Sequence, residues 1–233
     1  MASMNRTLVI MAKAPRPGSV KTRLAKSLSV HAVTELYRCL LHDTISLVQS
    51  LPHVEVAIMC PASDVEDMTH AAGGGVPIVP QIGNGLAAGL TSVFVHFAGA
   101  GHRHVIAFNS DSPHLPASVL ESAFRALSDC DIVVGPTHDG GYYLVGATAS
   151  HPGLFTGDVM GTSSAFEALL ARARALRLSV HLTDPFYDID EAADLGRLAA
   201  ELQRTPGKAP RTAEWVLAWR GDASQTMQNG RSE

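Results

Sequence analysis

The sequence predicts one α/β domain in which a mostly parallel central sheet is flanked by helices. Short apolar runs alternate with helical patterns along residues 5–220. Several of these runs are continuously apolar, which is typical of strands covered on both faces. No repeat or low-complexity linker divides the 233 residues, and this length suits a single domain. Residues 221–233 are polar, so we expect a disordered tail there.

The first half of the chain begins with a predicted buried strand over residues 7–11 (TLVIM). Apolar residues or Tyr at positions 33, 36, 37, 40, 41, 45 and 48 have the spacing of an amphipathic helix. Residues 54–60 form a second apolar strand, and Ser63 with Glu66 has the pattern of a capping box that opens a short helix. A third strand over 76–79, a helix over 86–98 and a fourth strand over 104–108 follow.

The second half continues the alternation with a helix over 116–127 and strands over 132–134 and 142–146. Ser164 and Glu167 have the capping-box spacing, which predicts a helix that runs to residue 177. A further strand is predicted over 178–182. Asp190 is placed to N-cap a last helix that ends near residue 203.

Composition and charge exclude several classes of protein. With 46% hydrophobic and 17% charged residues, the chain is too apolar to be disordered. A net charge of −4 gives no reason to expect binding to nucleic acid or to an acidic membrane. Cys39, Cys60 and Cys130 form no CxxC pair, which argues against a zinc site or a disulfide framework and suits a reducing compartment.

The N-terminus lacks the apolar stretch of a signal peptide, so we expect a cytoplasmic protein. Residues 68–102 contain no Asp, Glu, Lys or Arg, but Pro77, Pro80 and three glycines interrupt them. A membrane-spanning helix needs about 20 unbroken apolar residues, so we expect no membrane span.

The loop after the first strand, residues 13–24 (KAPRPGSVKTRL), is basic. The first 34 residues contain six Lys or Arg and no acidic residue, so these cations favour an external anion such as a phosphate chain. Gly18 allows close approach of the backbone, and the helix that follows adds N–H donors. A solvated surface loop is the alternative. A Walker A loop is excluded, because Val20 rather than Gly precedes Lys21.

A bacterial transferase family opens with the motif K-x-P-x-P-G-x-V-K-T-R-L, which the segment KAPRPGSVKTRL resembles. This family comprises the rSAM/selenodomain-associated, arsenosugar-biosynthesis-type glycosyltransferases. It belongs to the GT-A (Rossmann-like) superfamily of nucleotide-diphospho-sugar transferases, with 2-phospholactate guanylyltransferase and molybdenum cofactor guanylyltransferase as relatives. The resemblance covers about residues 7–200. It implies that the nucleotide binds to Lys13, Pro17, Gly18, Lys21 and Arg23, with Lys21 also catalytic.

A glycine turn follows the third strand. Gly83-Asn84-Gly85 permits a tight turn against a flat ligand, and a purely structural turn is the alternative. In the resembled family a nucleoside base is read here, which adds Gln81 to the predicted nucleotide-binding residues. The usual acidic residue is replaced by Asn84 and the usual arginine is missing, so the base is not identified.

Asp111 follows the fourth strand, at the sheet edge where ligands bind in such folds. Mg²⁺ uses one or two carboxylates together with substrate phosphates. Asp188 and Asp190, two positions apart, are the candidate partners, and the resemblance likewise implies an Mg²⁺ or Mn²⁺ site on these residues. Asp190 has the alternative of a helix cap. His114 is either a third ligand or an ordinary polar surface residue.

The segment 139–146 (DGGYYLVG) is close to another motif of the resembled family. Asp139 is predicted to position an acceptor or to act as a base, with Gly140 and Gly141 bringing the backbone against the ligand. Tyr142 and Tyr143 lie on opposite faces of a strand, so only one of them, predicted as Tyr142, lines the site. A hairpin with a capping Asp is the alternative.

Two reactions suit these residues. A nucleotidylyltransferase joins an NTP to a phosphorylated small-molecule acceptor and releases pyrophosphate, whereas a glycosyltransferase moves the sugar of an NDP-sugar. A triphosphate needs more neutralising charge, which Lys13, Arg16, Lys21 and Arg23 supply, so nucleotidyl transfer is favoured. A non-catalytic nucleotide-binding protein is the third possibility.

Overall fold

The computed structural model describes residues 6–205 and 207–229, in which one seven-stranded sheet forms the centre. The strands have the spatial order β3-β2-β1-β4-β6-β5-β7. They are β1 (Arg6–Met11), β2 (Val54–Cys60), β3 (Ile78–Pro80), β4 (His104–Asn109), β5 (Ile132–Pro136), β6 (Tyr142–Ala147) and β7 (Val180–Leu182).

The predicted mostly parallel sheet is confirmed. All neighbouring strands pair in parallel except β6, which is antiparallel to both β4 and β5. β5 and β6 are joined by a short loop that only an antiparallel pair allows, which is the hairpin that the sequence analysis left open as the alternative around Asp139.

Helices cover both faces of the sheet. They are α1 (Val30–Gln49), α2 (Val65–Ala72), α3 (Gly85–Gly99), α4 (Ala117–Ala126), α5 (Ala165–Ala175), α6 (Ala192–Arg204) and α7 (Pro210–Asn229). Leu8 and Ile10 of β1 pack in a core with residues of α1 and α4, whereas Val9 packs with α3 on the other face. Burying each such side chain contributes about 1.5–3 kcal/mol, so the sheet is held from both sides.

Helix α7 was missed in the sequence, and it is joined to α1 by a buried carboxylate. Asp43 of α1 is 3% exposed and accepts hydrogen bonds from the backbone N–H groups of Arg211 (3.3 Å) and Thr212 (2.7 Å). Residues 221–229 continue α7, where the sequence predicted a disordered tail, and 230–233 lie outside the described residues. Polar residues such as Gln225 and Gln228 have good helix propensity, so polarity did not exclude a helix.

Two of the three predicted cap positions are wrong, and the third, Ser164, is at the predicted position but makes no cap hydrogen bond. Helix α2 begins at Val65, after a 3₁₀ turn over Ala62–Asp64, so Ser63 lies before the cap position. Ser164 stands at the N-cap of α5, but its backbone is not extended and its hydroxyl makes no cap hydrogen bond. Helix α6 is capped by Glu191, which forms a capping box with Asp194, one residue after the predicted Asp190. This leaves Asp190 available for another role.

Candidate active site

The cleft of interest lies where the strand order reverses direction. β1 pairs in parallel with both β2 and β4, so the loops after β1 and β4 diverge at the carboxyl edge of the sheet. A cavity of about 760 Å³ opens there. The basic loop, the glycine turn and the segment after β4 line it, together with Asp190 and Gly161.

Three carboxylates meet at this edge, as the sequence predicted. Asp111, Asp188 and Asp190 each offer an oxygen within 4.8 Å of the others. The backbone explains their meeting, because the amide of Ile189 donates to the carbonyl of Asp111 at 3.1 Å and the Ile189 side chain is fully buried. Asp190 therefore lies beside Asp111 although 79 positions separate them in the sequence.

Lys21 occupies this carboxylate cluster. Its ammonium lies 2.8 Å from Asp111 Oδ2 and 2.7 Å from Asp190 Oδ1, and 4% of its side chain is exposed. Burial opposes the charge, but the two carboxylates outweigh it and raise the pKa of Lys21 above its usual value. Lys21 is therefore a protonated counter-ion of the cluster.

The premise that the basic loop lacks internal counter-ions is wrong, because acidic residues distant in sequence supply them. Arg16 forms ion pairs with Asp64 and Asp67, and its side chain does not line the cleft. Arg23 lies 3.4 Å from Asp190 and is about half exposed. Lys13 is exposed in the cleft and has no ion pair within the described part of the chain.

Pro17 and Gly18, predicted to bind the nucleotide, are exposed at the tip of the basic loop and are not among the residues that line the cleft. Gly18 has φ +77°, in the left-handed region, so it serves the turn. The neighbouring Ser19 does line the cleft, and its backbone N–H donates to the carbonyl of Arg16 at 3.1 Å.

Tyr37 is a site residue that the sequence analysis treated only as part of an apolar stripe. Its hydroxyl accepts from the backbone N–H of Lys13 at 3.2 Å and lies 3.1 Å from the hydroxyl of Ser110. Ser110 in turn donates to Asp111 Oδ1 at 3.3 Å, and burial raises the pKa of Tyr37 to about 12. This neutral phenol links the basic loop to the carboxylate cluster. Because a buried Tyr hydroxyl needs a polar partner, a Tyr within the apolar stripe of α1 was the sequence signal for this contact.

The glycine turn forms the opposite wall of the cleft. Gln81, Asn84 and Gly85 line it, whereas Gly83 does not. The side-chain amide of Gln81 donates to the carbonyl of Gly83 within the turn, at 3.0 Å. Leu86, also in the wall, is 41% exposed. The wall therefore presents the amide of Asn84 and an apolar side chain.

Asp139 lies in the loop between β5 and β6. Its Oδ1 accepts hydrogen bonds from the hydroxyl of Thr137 and the backbone N–H of Gly141. Partial burial opposes ionisation, but these hydrogen bonds lower the pKa of Asp139. The negative charge of Asp139 also acts on Asp188, so this loop is close to the carboxylate cluster.

Gly140 lies against the segment that precedes α5. A Cβ at Gly140, whose φ is +88°, would lie 2.0 Å from the carbonyl oxygen of Ser163. Tyr142 donates its hydroxyl to Met160 Sδ at 3.4 Å, whereas Tyr143 faces the other way and bonds to Thr183. The two tyrosines thus lie on opposite faces, as predicted. The four residues predicted for the acceptor side, Asp139, Gly140, Gly141 and Tyr142, thus lie in the β5–β6 hairpin beside the cleft and are not among the residues that line it.

His114 is neither of the alternatives predicted for it. It is fully buried, with its ring centroid 4.8 Å from that of Phe186 and 4.4 Å from that of Tyr187. Burial lowers the pKa of His114 to about 3, so the ring is neutral, and its nitrogens have no hydrogen-bond partner among the described residues.

The carboxylate cluster suits a hard divalent cation. Carboxylate oxygens are ligands that Mg²⁺ and Mn²⁺ prefer, and the cluster already attracts one cation, the ammonium of Lys21. Burial, and after it the charge of Asp190, raise the pKa of Asp188 to about 6. Three carboxylates beside the one ammonium of Lys21 leave an excess of negative charge. A divalent ion would neutralise that excess.

A family model described as "Uncharacterized protein conserved in bacteria (DUF2064)" matches residues 44–162, just over half of the chain. The chain belongs to this family. The matched part of the DUF2064 protein includes Asp111 and Asp139, whereas Lys21, Asp188 and Asp190 lie outside it. The sequence matches no curated protein.

Several solved structures share the fold of this DUF2064 chain. A protein from Desulfovibrio desulfuricans G20, provisionally named a nucleotide-diphospho-sugar transferase, is 24% identical, and the match covers 98% of each chain with a TM-score of 0.86. The 4-diphosphocytidyl-2C-methyl-D-erythritol synthase from Anaerococcus prevotii DSM 20548 is 11% identical, with a TM-score of 0.57 and coverage of 87% of this chain and 97% of that one.

A nucleotidyl transferase from Methanothermobacter thermautotrophicus is 16% identical, with a TM-score of 0.53 and coverage of 86% of this chain and 99% of the other. At these identities the likeness establishes the fold. No helix in the described part of the chain is both long and apolar enough to cross a membrane.

Proposed function

We propose that this protein is a divalent-metal-dependent nucleotidylyltransferase that joins a nucleoside triphosphate to a phosphorylated small molecule. The observation that carries the proposal is a single cleft lined by Lys13, Lys21 and Arg23 together with Asp111 and Asp190. The first set attracts phosphate oxygens and the second a divalent cation, the two charge requirements of phosphoryl chemistry. Three structures of the same fold are named for nucleotide or nucleotide-sugar transfer, which supports a nucleotide substrate.

In the proposed reaction, an oxygen of the acceptor phosphate attacks the α-phosphorus of the NTP. The bond from that phosphorus to the bridging oxygen of the β-phosphate breaks, and pyrophosphate leaves. Lys13 and Arg23 are exposed and can bind phosphate oxygens where they are, whereas Lys21 has to leave its carboxylates first. These cations stabilise the negative charge that moves onto the leaving pyrophosphate.

Asp111, Asp188 and Asp190 are the residues that would hold Mg²⁺ or Mn²⁺. Such an ion, when bound, neutralises phosphate charge and makes the α-phosphorus more electrophilic. Asp139, whose lowered pKa keeps it ionised at neutral pH, accepts a hydrogen bond from a hydroxyl of the acceptor and so orients it. The walls at Asn84 and Leu86 contact the nucleoside.

Glycosyl transfer from an NDP-sugar is the second candidate. The name of the Desulfovibrio protein favours it, as does the resemblance to the rSAM-associated family. Arg16 is engaged outside the cleft, which leaves three cations for phosphate rather than four and reduces the charge advantage of a triphosphate. For this reaction Asp139 would accept the proton of the acceptor hydroxyl.

A paired product assay tests the proposal. The protein is first screened by thermal shift against NTPs and NDP-sugars with Mg²⁺ or Mn²⁺, and the ligands that bind are then tested for turnover with pooled acceptors. Pyrophosphate release from an NTP supports the proposal, whereas NDP release from an NDP-sugar would establish the glycosyltransferase. Binding without turnover in either assay would indicate a nucleotide-binding protein without catalysis.

The metal site is tested separately with Asp111→Asn and Asp190→Asn. Both variants should lose the metal dependence of nucleotide binding, because each removes one oxygen charge from the cluster. Asp67→Asn, in an acidic residue outside the cleft, is the matched control and should keep it. Wild-type metal dependence in both cluster variants would exclude the shared site. A cytoplasmic location is also part of the proposal. The three cysteines are free thiols, which suits a reducing compartment.

A further inference from the structure

Lys21 lies between Asp111 and Asp190 and engages the oxygens that a divalent ion would use. Its ammonium is 2.8 Å from Asp111 Oδ2 and 2.7 Å from Asp190 Oδ1. The other oxygens of these carboxylates are also engaged, since Ser110 donates to Asp111 Oδ1 and Arg23 lies 3.4 Å from Asp190 Oδ2. Two cations of the chain itself therefore already engage Asp111 and Asp190, although the third carboxylate leaves the cluster with an excess of negative charge.

An ammonium and a divalent ion cannot share the same two carboxylate oxygens. Both are cations, and at such distances their repulsion is large because the 4% exposure of the Lys21 side chain leaves little water to screen it. The ammonium must leave before an ion can bind Asp111 and Asp190 together.

The backbone of Lys21 is strained, and its neighbours in the loop are anchored. Its φ is +48°, in the left-handed region that a non-glycine residue adopts at an energetic cost. The flanking Val20 and Leu24 are buried in a hydrophobic cluster with α1 and α6, so they anchor the loop on both sides. We therefore expect the Lys21 side chain to move while the buried Val20 and Leu24 stay in place.

We propose that Lys21 is an internal counter-ion which a divalent metal has to displace. The released ammonium then becomes available to a phosphate of the substrate, a step that rests on the function proposed above. The metal consequently binds weakly to the protein alone, and strongly only when a phosphate chain receives Lys21. Lys21 in this way couples metal binding to nucleotide binding.

The first test is a Mn²⁺ titration of the nucleotide-free protein, followed by electron paramagnetic resonance. Lys21→Met removes the competing ammonium and keeps most of the side-chain volume, so Mn²⁺ should bind about tenfold tighter than to wild type. Lys13→Met is the matched control, because it removes one positive charge from the same cleft without vacating the carboxylates. Equal affinity in the two variants would overturn the proposal, and so would an absence of Mn²⁺ binding in all three proteins.

The second test uses the wild-type protein and does not depend on the folding of a variant. The chain has four lysines, Lys13, Lys21, Lys26 and Lys208, so acylation of each can be followed by mass spectrometry. Without metal, Lys21 should be the least reactive, and saturating Mg²⁺ should raise its labelling several-fold while Lys26 stays unchanged. Unchanged or reduced labelling of Lys21 would overturn the proposal.

Neither test contains a nucleotide, so failure of the proposed function gives a different result. If Mg²⁺ exposes Lys21 but the protein converts no nucleotide, the proposed transferase function is wrong and the displacement of Lys21 is supported. If the protein converts nucleotides but Lys21 stays protected from labelling in the presence of Mg²⁺, the transferase function is supported and the displacement of Lys21 is wrong.

Discussion

At the scale of single residues, Asp188 is the member of the carboxylate cluster whose pKa is raised most clearly. Burial and the neighbouring charge of Asp190 raise its pKa to about 6. Below that pH the carboxyl group is protonated and neutral, and above it the group is ionised. A metal ion that binds there must displace the proton at acidic pH and meets no proton at neutral pH.

Metal affinity should therefore depend on pH with a midpoint near 6. We expect the Kd for Mn²⁺ to be constant above about pH 7 and to rise about tenfold for each pH unit below about 6. Asp188→Asn should bind Mn²⁺ more weakly and flatten this dependence, whereas Asp129→Asn should keep the wild-type profile, because this exposed acid precedes β5 at the sheet edge opposite the cluster. Titrations between about pH 5 and 8 check this, and a flat wild-type profile would contradict it.

Asp139 is the second residue with a specific prediction. Asn keeps the Oδ1 acceptor that holds Thr137 and Gly141, so Asp139→Asn should fold normally but lose the negative charge that orients the acceptor. We expect turnover to fall about 10²-fold while the Kd for nucleotide stays near wild type. Thr137→Val is the comparison variant and should reduce turnover less. A parallel loss of turnover and nucleotide affinity would instead assign Asp139 to the nucleotide site.

At the scale of elements, the β5–β6 hairpin loop and the segment before α5 are held together by close backbone contact. The amide of Phe166 donates to the carbonyl of Gly140 at 3.0 Å, and Gly140 itself lies against Ser163. No side chain fits between these two segments. The loop that positions Asp139 thus depends on a glycine at position 140.

Gly140→Ala should destabilise the protein strongly, and Gly153→Ala separates the two causes. Both glycines have φ +88°, but a Cβ at Gly153 meets no atom within 4 Å. The shared backbone strain should cost each variant about 1–2 kcal/mol, and the clash with Ser163 should add about 1–3 kcal/mol to Gly140→Ala alone. Urea unfolding measures the difference, and equal free energies of unfolding would show that the segment before α5 yields without cost.

At the scale of the whole molecule, the ion pairs of Lys21 connect three distant parts of the chain. They join the loop after β1 to the end of β4 and to the start of α6, across 169 positions between Lys21 and Asp190. Removing Lys21 leaves Asp111 without an ion pair among the described residues and leaves Asp190 with Arg23 alone. Because Asp111 and Asp190 are 26% and 31% exposed, the cost should be lower than for a fully buried pair.

Lys21→Met should lower the free energy of unfolding by about 2–3 kcal/mol without metal, against the about 3–5 kcal/mol typical of fully buried pairs. Saturating Mg²⁺ should restore part of the loss, since it neutralises the same carboxylates. Lys13→Met, in which no ion pair of the described residues is removed, should be within about 0.5 kcal/mol of wild type. An unchanged stability of Lys21→Met would mean that water compensates the cluster.

The sequence alone determined the α/β class, the strands β1, β2 and β4, and the meeting of Asp111 with Asp188 and Asp190. The class and the strands follow from local hydrophobic periodicity, and the place of Asp111 follows from the rule that ligands bind beyond the carboxyl ends of strands. The choice of Asp188 and Asp190 as its partners came from their spacing, from the predicted helix start and from the family resemblance.

Tertiary structure alone decided which charges neutralise each other and which polar groups are buried. The basic loop contains no acid, yet Asp64, Asp67, Asp111 and Asp190 reach it from other parts of the chain, so its isolation in the sequence was misleading. Tyr37 and His114 are likewise buried by segments distant in sequence. Coulomb interactions and burial depend on separation in space, and in this fold Lys21 and Asp190 are in contact across most of the chain.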